Sequence, residues 1–363
     1  MKAAVMWGVG LPLTIEETEL ARPGPNEVVV EVAAAGLCHS DLHYMDGWYP
    51  IETPAVLGHE SAGVVIEIGS DVGYVKPGDH VIAYLTIACG NCPYCREGNT
   101  HNCLNRKAAG AREAGQAPRL TIDGGPVTQF LNLASFAERL LVSEKAVVRI
   151  TPDLPLDRAA LLGCGVATGL GAVFNTAGVE EGQTVAVIGC GGVGLAVVQG
   201  ARIAGASQVI AVDVVESKLG LARAVGATAV VNATSDDTLS SVLSLTDGLG
   251  VHHAFEAIGS KTTTEAAFGL LRWGGTATVV GLLPDGTRLD IPGDELYYEK
   301  RLQGSNVGST DFRRDIPRYV EWYLDGRLKL DEMVTRRLAL EEINEGFDDM
   351  RSGLSARSIV VFD

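Results

Sequence analysis

The sequence predicts an α/β protein in which a β-rich domain is joined to a domain built on a doubly wound parallel sheet. Three observations support this prediction. The chain has 363 residues, more than one hydrophobic core usually accommodates. A glycine-rich turn lies between two β-branched apolar runs in the middle of the chain. Short, valine-rich strands of alternating polarity occupy its beginning.

The glycine-rich turn indicates a dinucleotide-binding βαβ unit. Its sequence is Gly189-Cys190-Gly191-Gly192-Val193-Gly194, flanked by predicted strands at 184–188 and 208–212 and followed by a predicted helix at 195–204. Gly189 allows a tight turn, Gly191 lets backbone N–H groups approach a pyrophosphate, and Gly194 lets the helix lie close to the sheet. The helix N-terminus adds partial positive charge for the phosphates.

The residues after the second strand indicate which dinucleotide binds. Asp213 closes that strand, about twenty residues after the glycine turn. Its carboxylate accepts hydrogen bonds from ribose hydroxyls and repels a 2′-phosphate, so the sequence favours NAD over NADP. Lys218 is close enough in the chain to reach the same ribose, or it is a solvated helix lysine.

Composition excludes several other classes of protein. The net charge is −16, from 29 basic and 45 acidic side chains, which argues against nucleic acid or an anionic membrane as a partner. The sequence predicts neither a transmembrane helix nor a signal peptide, so we expect a cytoplasmic protein. In that compartment cysteines are more often metal ligands than disulfides.

The remaining segments fit the two-domain prediction. Strand patterns fill the first 35 residues and recur at 64–68, 81–85 and 135–148. Alternating strands and helices run from 184 to about 281. The tail has helical patterns at 314–324 and 340–350 and a last strand at 358–362.

Four of the seven cysteines form one dense motif. Cys89, Cys92, Cys95 and Cys103 have the spacing C-x2-C-x2-C-x7-C. Four thiolates this close together suit a closed, structural Zn²⁺ site. An iron–sulfur cluster uses the same number of cysteine ligands and is the alternative.

Cys38, His59 and Cys164 are candidates for a second metal site. Two cysteines, one histidine and one open position form the ligand set of a catalytic zinc in alcohol oxidation. Asp41 and Glu60 then become carboxylates that orient His59 and tune the metal. The alternative is two ordinary buried cysteines and one core histidine.

These motifs resemble those of the zinc-dependent medium-chain alcohol dehydrogenases, particularly the dimeric class III branch. The residues that carry the resemblance are those at 36–43, 58–60, 163–169, 342–347 and 355–358, the four-cysteine motif and the glycine turn. The resemblance implies a GroES-like zinc-binding catalytic domain at 1–165 plus 304–363. It also implies a Rossmann NAD-binding domain at 166–303.

The resemblance also implies roles for individual residues. Cys38, His59 and Cys164 become ligands of the catalytic zinc, and the four-cysteine motif holds the structural zinc. Ser40 and His43 pass the alcohol proton to solvent, and Glu60 is the carboxylate behind the metal. Positions matching cofactor contacts in the family are His39, Thr168 and Arg357. Zinc lowers the pKa of the bound alcohol, and hydride then passes to NAD.

The substrate is expected to be a primary or aromatic alcohol, or the corresponding aldehyde or ketone. Trp48, Tyr49 and Leu85 match pocket positions of the family, or they are ordinary packing residues. The alternative substrate is the S-(hydroxymethyl) adduct of glutathione or mycothiol. Lys107 stands where glutathione-using members have an arginine, which argues against glutathione. A different class of function is a non-enzymatic, NAD-binding structural relative.

The resemblance predicts a homodimer as well. In the family, an edge strand matching residues 299–305 pairs with its symmetry mate. An exposed strand edge needs a partner or a cover.

Overall fold

The computed structural model describes residues 1–112, 115–353 and 356–362, and Ser355 of the C-terminal motif lies outside them. The chain forms two compact units. The first comprises Met1–Cys164, Asp311–Leu324 and Val334–Asp363, and the second comprises Gly165–Thr310 and Asp325–Met333. The sequence predicts Gly165 and residues 304–310 and 325–333 in the first domain, but they lie in the second unit. They belong there because Thr310 Oγ1 donates to the Ala167 carbonyl oxygen (3.1 Å) and the Lys329 N–H donates to Gln199 Oε1 (2.7 Å).

The elements are numbered along the chain. The strands are β1 (Lys2–Met6), β2 (Thr14–Glu17), β3 (Glu19–Leu20), β4 (Glu27–Gly36), β5 (Ala55–Val56), β6 (Glu60–Ile68), β7 (His80–Ala83), β8 (Leu120–Ile122), β9 (Gly125–Pro126), β10 (Thr128–Gln129), β11 (Arg139–Ser143), β12 (Val147–Ile150), β13 (Thr184–Ile188), β14 (Gln208–Asp213), β15 (Ala229–Asn232), β16 (Val251–Glu256), β17 (Leu271–Val279), β18 (Arg301–Gly304), β19 (Arg336–Leu338) and β20 (Ser358–Val361). The α-helices are α1 (His39–Met45), α2 (Pro93–Arg96), α3 (Arg106–Gly110), α4 (Leu156–Ala159), α5 (Gly165–Gly171), α6 (Gly192–Ile203), α7 (Glu216–Val225), α8 (Thr238–Leu245), α9 (Lys261–Gly269), α10 (Phe312–Leu324) and α11 (Ile343–Arg351). A π-helix, Ala172–Ala177, follows α5.

The first unit is built on a mainly antiparallel sheet in the order β12-β7-β6-β4-β20-β19, with β11 also paired to β4. Its central strand β4 carries Val28, Val29, Val30 and Val32, all nearly inaccessible to solvent. Strand β4 is covered along one edge by β6 and along the other by β11 and then β20. It is therefore the strand around which this unit is assembled.

A second hydrophobic core in this unit supports helix α1. Its largest side chains include Phe136 and Phe347, whose rings meet edge to face with centroids 5.9 Å apart. Leu42 and Met45 of α1 are buried in the same core. Burial of these two side chains fixes the helix that begins directly after Cys38.

The second unit contains a parallel sheet in the order β15-β14-β13-β16-β17-β18. Counted from β13, this is the strand order 3-2-1-4-5-6 of a Rossmann fold. The apolar residues of β13 are buried because helices cover a parallel sheet on both faces. The order of strands reverses beside β13, where such folds bind their ligands.

In the described part of the chain, no single helix is both long and apolar enough to cross a membrane. One bent pair of helices, Leu156–Gly163 and Gly165–Ala177, passes on length and composition alone, and its residues are mostly buried within the protein.

Candidate active site

The candidate metal site begins with Asp41, a fully buried carboxylate in the first turn of α1. Its Oδ2 accepts a hydrogen bond from the Cys38 backbone N–H (3.2 Å). Its Oδ1 accepts one from the Gly58 N–H (3.0 Å) and lies 3.0 Å from His59 Nδ1. Asp41 therefore holds together the two segments that carry Cys38 and His59, and it orients the imidazole.

The ring of His59 is held so that its second nitrogen remains available. Nε2 is buried and has no hydrogen-bond partner among the described residues. Phe130 packs edge to face against the ring, with centroids 5.7 Å apart. A buried imidazole nitrogen without a partner is costly unless a ligand meets it.

Three other side chains bring ligand atoms close to His59. The ligand atoms of Cys38, His59, Glu60 and Cys164 all lie within 4.8 Å of one another. A hydrogen bond with Cys164 and the nearby charge of His59 hold the pKa of the Cys38 thiol well below its usual range, although burial opposes this. A thiolate, a second thiol and an oriented imidazole fit Zn²⁺, which prefers sulfur and nitrogen ligands.

The charges around this cluster are mutually stabilising. Burial alone would lower the pKa of His59, but the negative charges of Asp41 and Cys38 raise it to about 10. Without a metal, a protonated His59 balances the negative charge of the Cys38 thiolate. A bound divalent cation would balance that charge instead and would displace the imidazole proton.

Glu60 and Arg357 form a buried ion pair beside the cluster. The Arg357 guanidinium contacts the Glu60 carboxylate, and both side chains are almost inaccessible to solvent. The predicted contact between Arg357 and the cofactor stays a prediction. The pairing with Glu60 was not predicted, since no local pattern connects residues so far apart in sequence.

Ser40 and His43 follow Cys38 on the same helix. They stand three positions apart on α1, so they share one helix face. Burial lowers the pKa of His43, although the charges of Cys38 and Asp46 oppose this. His43 is thus held in its neutral, proton-accepting form. His39, the first residue of α1, is exposed.

Of the three pocket residues expected from the resemblance, Trp48 and Tyr49 contact helix α1. The Trp48 ring stacks on His43 with centroids 4.3 Å apart, and Tyr49 contacts Tyr44 with centroids 5.5 Å apart. Leu85 follows strand β7 and is half-buried. The stack of Trp48 on His43 was not foreseen, because it depends on the turn at Gly47.

The second predicted metal site lies in a single lobe of the first unit. The Sγ atoms of Cys89, Cys92, Cys95 and Cys103 all lie within 4.8 Å of one another. The Cys89 backbone N–H donates to Cys103 Sγ (3.3 Å), and the Cys92 N–H donates to Cys89 Sγ (3.4 Å). Hydrogen bonds involving Asn91 and Cys92 lower the pKa of the Cys89 thiol to about 6. Four thiols with N–H donors around them fit a closed zinc site.

The glycine turn joins the end of β13 to α6. Gly189 has a positive φ of 95°, and a Cβ on Gly194 would lie 1.7 Å from the Gly189 carbonyl oxygen. A Cβ on Gly191 would meet no described atom within 4 Å. The backbone at Gly191 therefore faces open space at the start of a helix, which fits a pyrophosphate.

Three of the side chains predicted to contact the cofactor lie in the second unit. Asp213 Oδ2 accepts the Cys190 N–H (2.7 Å) and Oδ1 accepts the Val215 N–H (2.9 Å), so this carboxylate also fixes the turn. Lys218 lies in the first turn of α7 and is half-buried. Thr168 Oγ1, on α5, is buried without a hydrogen-bond partner in the described chain.

Two protein families match parts of this chain. Residues 24–153 match the family described as alcohol dehydrogenase GroES-like domain. Residues 192–325 match the family described as zinc-binding dehydrogenase. Together these two matches cover both candidate metal clusters, except for Cys164, and most of the parallel sheet.

Curated relatives match along the whole chain. An alcohol dehydrogenase class-3 of Pisum sativum is 38% identical, with 99% of this chain and 97% of the relative covered. An S-(hydroxymethyl)glutathione dehydrogenase of Photobacterium damsela subsp. piscicida is 39% identical, with 99% of each chain covered.

Solved structures give the same result. An alcohol dehydrogenase zinc-binding domain protein from Burkholderia ambifaria is 36% identical with a TM-score of 0.94, covering 100% of this chain and 98% of that one. Benzyl alcohol dehydrogenase from Acinetobacter calcoaceticus is 34% identical with a TM-score of 0.93, covering 100% and 99%. The chain therefore belongs to the zinc-dependent medium-chain alcohol dehydrogenases, oxidoreductases that use zinc and NAD.

Proposed function

We propose that this enzyme oxidises the S-(hydroxymethyl) adduct of a low-molecular-weight thiol with NAD. The reaction removes a hydride from the carbinol carbon and a proton from the hydroxyl, and it yields the S-formyl thiol, NADH and a proton. The unpartnered Nε2 of His59 beside two thiols carries the zinc-dependent part of the proposal. The class-3 and S-(hydroxymethyl)glutathione dehydrogenase relatives support the choice of substrate.

Each residue of the cluster has a part in this proposal. Cys38, His59 and Cys164 hold the catalytic zinc, and Asp41 keeps the His59 proton on Nδ1. Bound at these residues, zinc would supply a Lewis acid for the substrate oxygen, and bound NAD would supply the hydride acceptor. Glu60, neutralised by Arg357, adjusts the negative charge around the metal.

Proton transfer falls to helix α1. Ser40 accepts the hydroxyl proton and passes it to His43, which is neutral because burial lowers its pKa. A neutral imidazole is required for this step, since an imidazolium has no lone pair with which to accept a proton. His43 then releases the proton to solvent.

The glycine turn and its neighbours bind NAD in this proposal. The N–H groups at the start of α6 hold the pyrophosphate, and Asp213 accepts the ribose hydroxyls with its remaining lone pairs. Lys218 reaches the same ribose, while Thr168, His39 and Arg357 contact other parts of the cofactor. The cysteine lobe holds the second, structural zinc.

Aromatic primary alcohols are the second candidate substrates. The likeness to a benzyl alcohol dehydrogenase structure supports them, and so do the rings of Trp48 and Tyr49 beside α1. Lys107, an exposed residue of α3, is the position that tests for the glutathione adduct. That adduct carries carboxylates, with which a lysine pairs less specifically than the arginine of glutathione-using members, whereas the mycothiol adduct and benzyl alcohol carry none.

Initial rates test both substrate classes. NAD reduction is measured with formaldehyde plus glutathione, with formaldehyde plus mycothiol, and with benzyl alcohol alone. We expect the highest kcat/KM for one thiol adduct, and we expect Lys107→Ala to raise the KM of the glutathione adduct only, leaving the mycothiol adduct and benzyl alcohol unchanged. A benzyl alcohol kcat/KM above both adducts would reverse the order of the candidates.

We also propose that two copies associate through strand β18. This strand ends the parallel sheet of the described chain, and exposed aromatic residues lie in the neighbouring strand β17 and in the segment just before β18. Trp273 is 70% exposed and stacks on Tyr298, while Tyr297 is 86% exposed. Sedimentation should give a dimer, and a monomer at micromolar concentration would contradict this pairing.

A further inference from the structure

Trp48 is bound to His43 by both its backbone and its ring. The Trp48 N–H donates to the His43 carbonyl oxygen (2.9 Å), and the two rings are stacked at 4.3 Å with only 5° between their planes. The turn between them contains Gly47, whose φ is +78° and whose Cβ would lie 2.7 Å from Val9 Cγ1. Both the positive φ and the close approach to Val9 favour glycine at this turn.

The stack is not explained as ordinary core packing. The Trp48 side chain is 49% exposed, so the position is a poor one for an indole whose only task is to bury surface. The imidazole beneath it is half-buried, and its Nδ1 has no hydrogen-bond partner among the residues that the structure describes. With no hydrogen bond at Nδ1, the plane of the His43 imidazole is constrained mainly by the Trp48 indole stacked on it.

We propose that Trp48 is a positioning residue for the proton carrier His43, fixing the plane of the imidazole and shielding one of its faces from water. This inference deepens the proposed function, because it rests on the assignment of His43 as the residue that receives the proton. It assigns Trp48 a task distinct from lining a substrate pocket, since the ring face turned toward His43 is unavailable to substrate.

The charges near His43 give the direction of the effect. Cys38, before α1, and Asp46, after it, both favour the protonated ring, while burial lowers the pKa of His43 and prevails. The indole supplies part of that burial. Replacing it with a side chain that cannot stack should let water reach the imidazole and raise the pKa of His43.

Kinetics distinguish positioning from substrate contact. For Trp48→Leu we expect kcat to fall about tenfold with KM changed less than about twofold, and the acidic limb of kcat/KM to move to higher pH. Trp48→Phe keeps a flat ring and should restore most of the rate and the pH profile. Trp7→Leu, at a tryptophan 44% exposed in the same unit, is the matched control and should behave as the unsubstituted enzyme.

Two kinetic results would overturn the inference. One is equal behaviour of Trp48→Leu and Trp48→Phe. The other is a change confined to KM, which would make Trp48 a substrate contact only.

Fluorescence tests the stack without turnover. The emission of Trp48, taken as the difference between the unsubstituted enzyme and Trp48→Phe, should fall as the pH is lowered, because a protonated imidazole quenches an indole stacked on it. His43→Gln should remove that pH dependence. Retention of the same pH dependence in His43→Gln would overturn the inference. Since no substrate is present, this measurement is decisive even where the proposed substrate class fails.

Discussion

The first prediction concerns Asp41, which contacts two of the proposed zinc ligands, Cys38 and His59, without being a ligand itself. Asp41→Asn preserves the size of the side chain but replaces one carboxylate oxygen with an NH₂ group. In the structure the two oxygens face three donors: the N–H groups of Cys38 and Gly58, and Nδ1 of His59. Whichever way the amide is turned, at least one buried N–H group then faces another donor.

The magnitude follows from that count. A buried N–H group without an acceptor costs about 1–3 kcal/mol of unfolding free energy. Loss of a carboxylate that orients a metal-bound histidine typically weakens metal affinity about 10- to 100-fold. At about 1.4 kcal/mol for each tenfold change, this loss of metal affinity is about as large as the free-energy cost of one unpaired N–H group.

Zinc competition with a coloured chelator is the appropriate assay. One of the two zinc sites should lose its ion at about 10- to 100-fold lower chelator concentration, while the four-cysteine site is unaffected. Asp46→Asn, the same substitution at the end of the same helix, is the matched control. Asp46 is paired with Arg351 (2.8 Å) at the surface, where such pairs contribute at most about 1 kcal/mol.

Equal chelator curves for Asp41→Asn and the unsubstituted enzyme would refute this reasoning. So would a loss of zinc in Asp46→Asn as large as that in Asp41→Asn. Either result would mean that the buried carboxylate does not control the imidazole.

Three further predictions concern other parts of the chain. Cys103→Ser removes a buried thiol from the cysteine lobe, and we expect metal analysis to find one zinc fewer and calorimetry to find Tm lowered by about 5 °C or more. Asp213→Asn weakens the repulsion of a 2′-phosphate, so the kcat/KM preference for NAD over NADP should narrow about tenfold, and an unchanged ratio would count against the ribose contact. Burial lowers the pKa of His253 to about 4, so the unfolded chain binds more protons than the folded one between about pH 6.5 and 4. The contribution of His253 to the free energy of unfolding is therefore fully present above this window. It decreases as the pH falls, by about 2 kcal/mol between pH 7.5 and 5. Denaturant unfolding of His253→Gln should lack this loss, and an equal loss in the variant would refute the assignment.

Features contained in one stretch of chain could be predicted from the sequence. The turn at 189–194 and the cysteines at 89–103 are each defined by spacing within a few residues, so their geometry follows from the local backbone. The strands beside the glycine turn, 184–188 and 208–212, were predicted to within one residue because buried parallel strands have continuous apolar sequences.

Features assembled from distant segments could not be predicted in the same way. Spacing alone did not join Cys38 and His59 to Cys164, and only the family resemblance suggested that they meet. No sequence pattern indicated that Arg357 pairs with Glu60 or that the Trp48 ring stacks on His43. The first depends on the pairing of β20 with β4, and the second on a left-handed turn at Gly47.

The pairing of β20 with β4 bears on when the candidate metal site at Cys38 can be completed during synthesis. Residues 34–36 of β4 pair with residues 359–361, and the Leu37 N–H donates to the Ser358 carbonyl oxygen (3.0 Å). The segment leading into Cys38 therefore lacks its neighbouring strand until residues 358–361 have been synthesised. The Rossmann sheet is formed by a contiguous stretch translated earlier, so it is free to fold while the segment before Cys38 is still unpaired on this side.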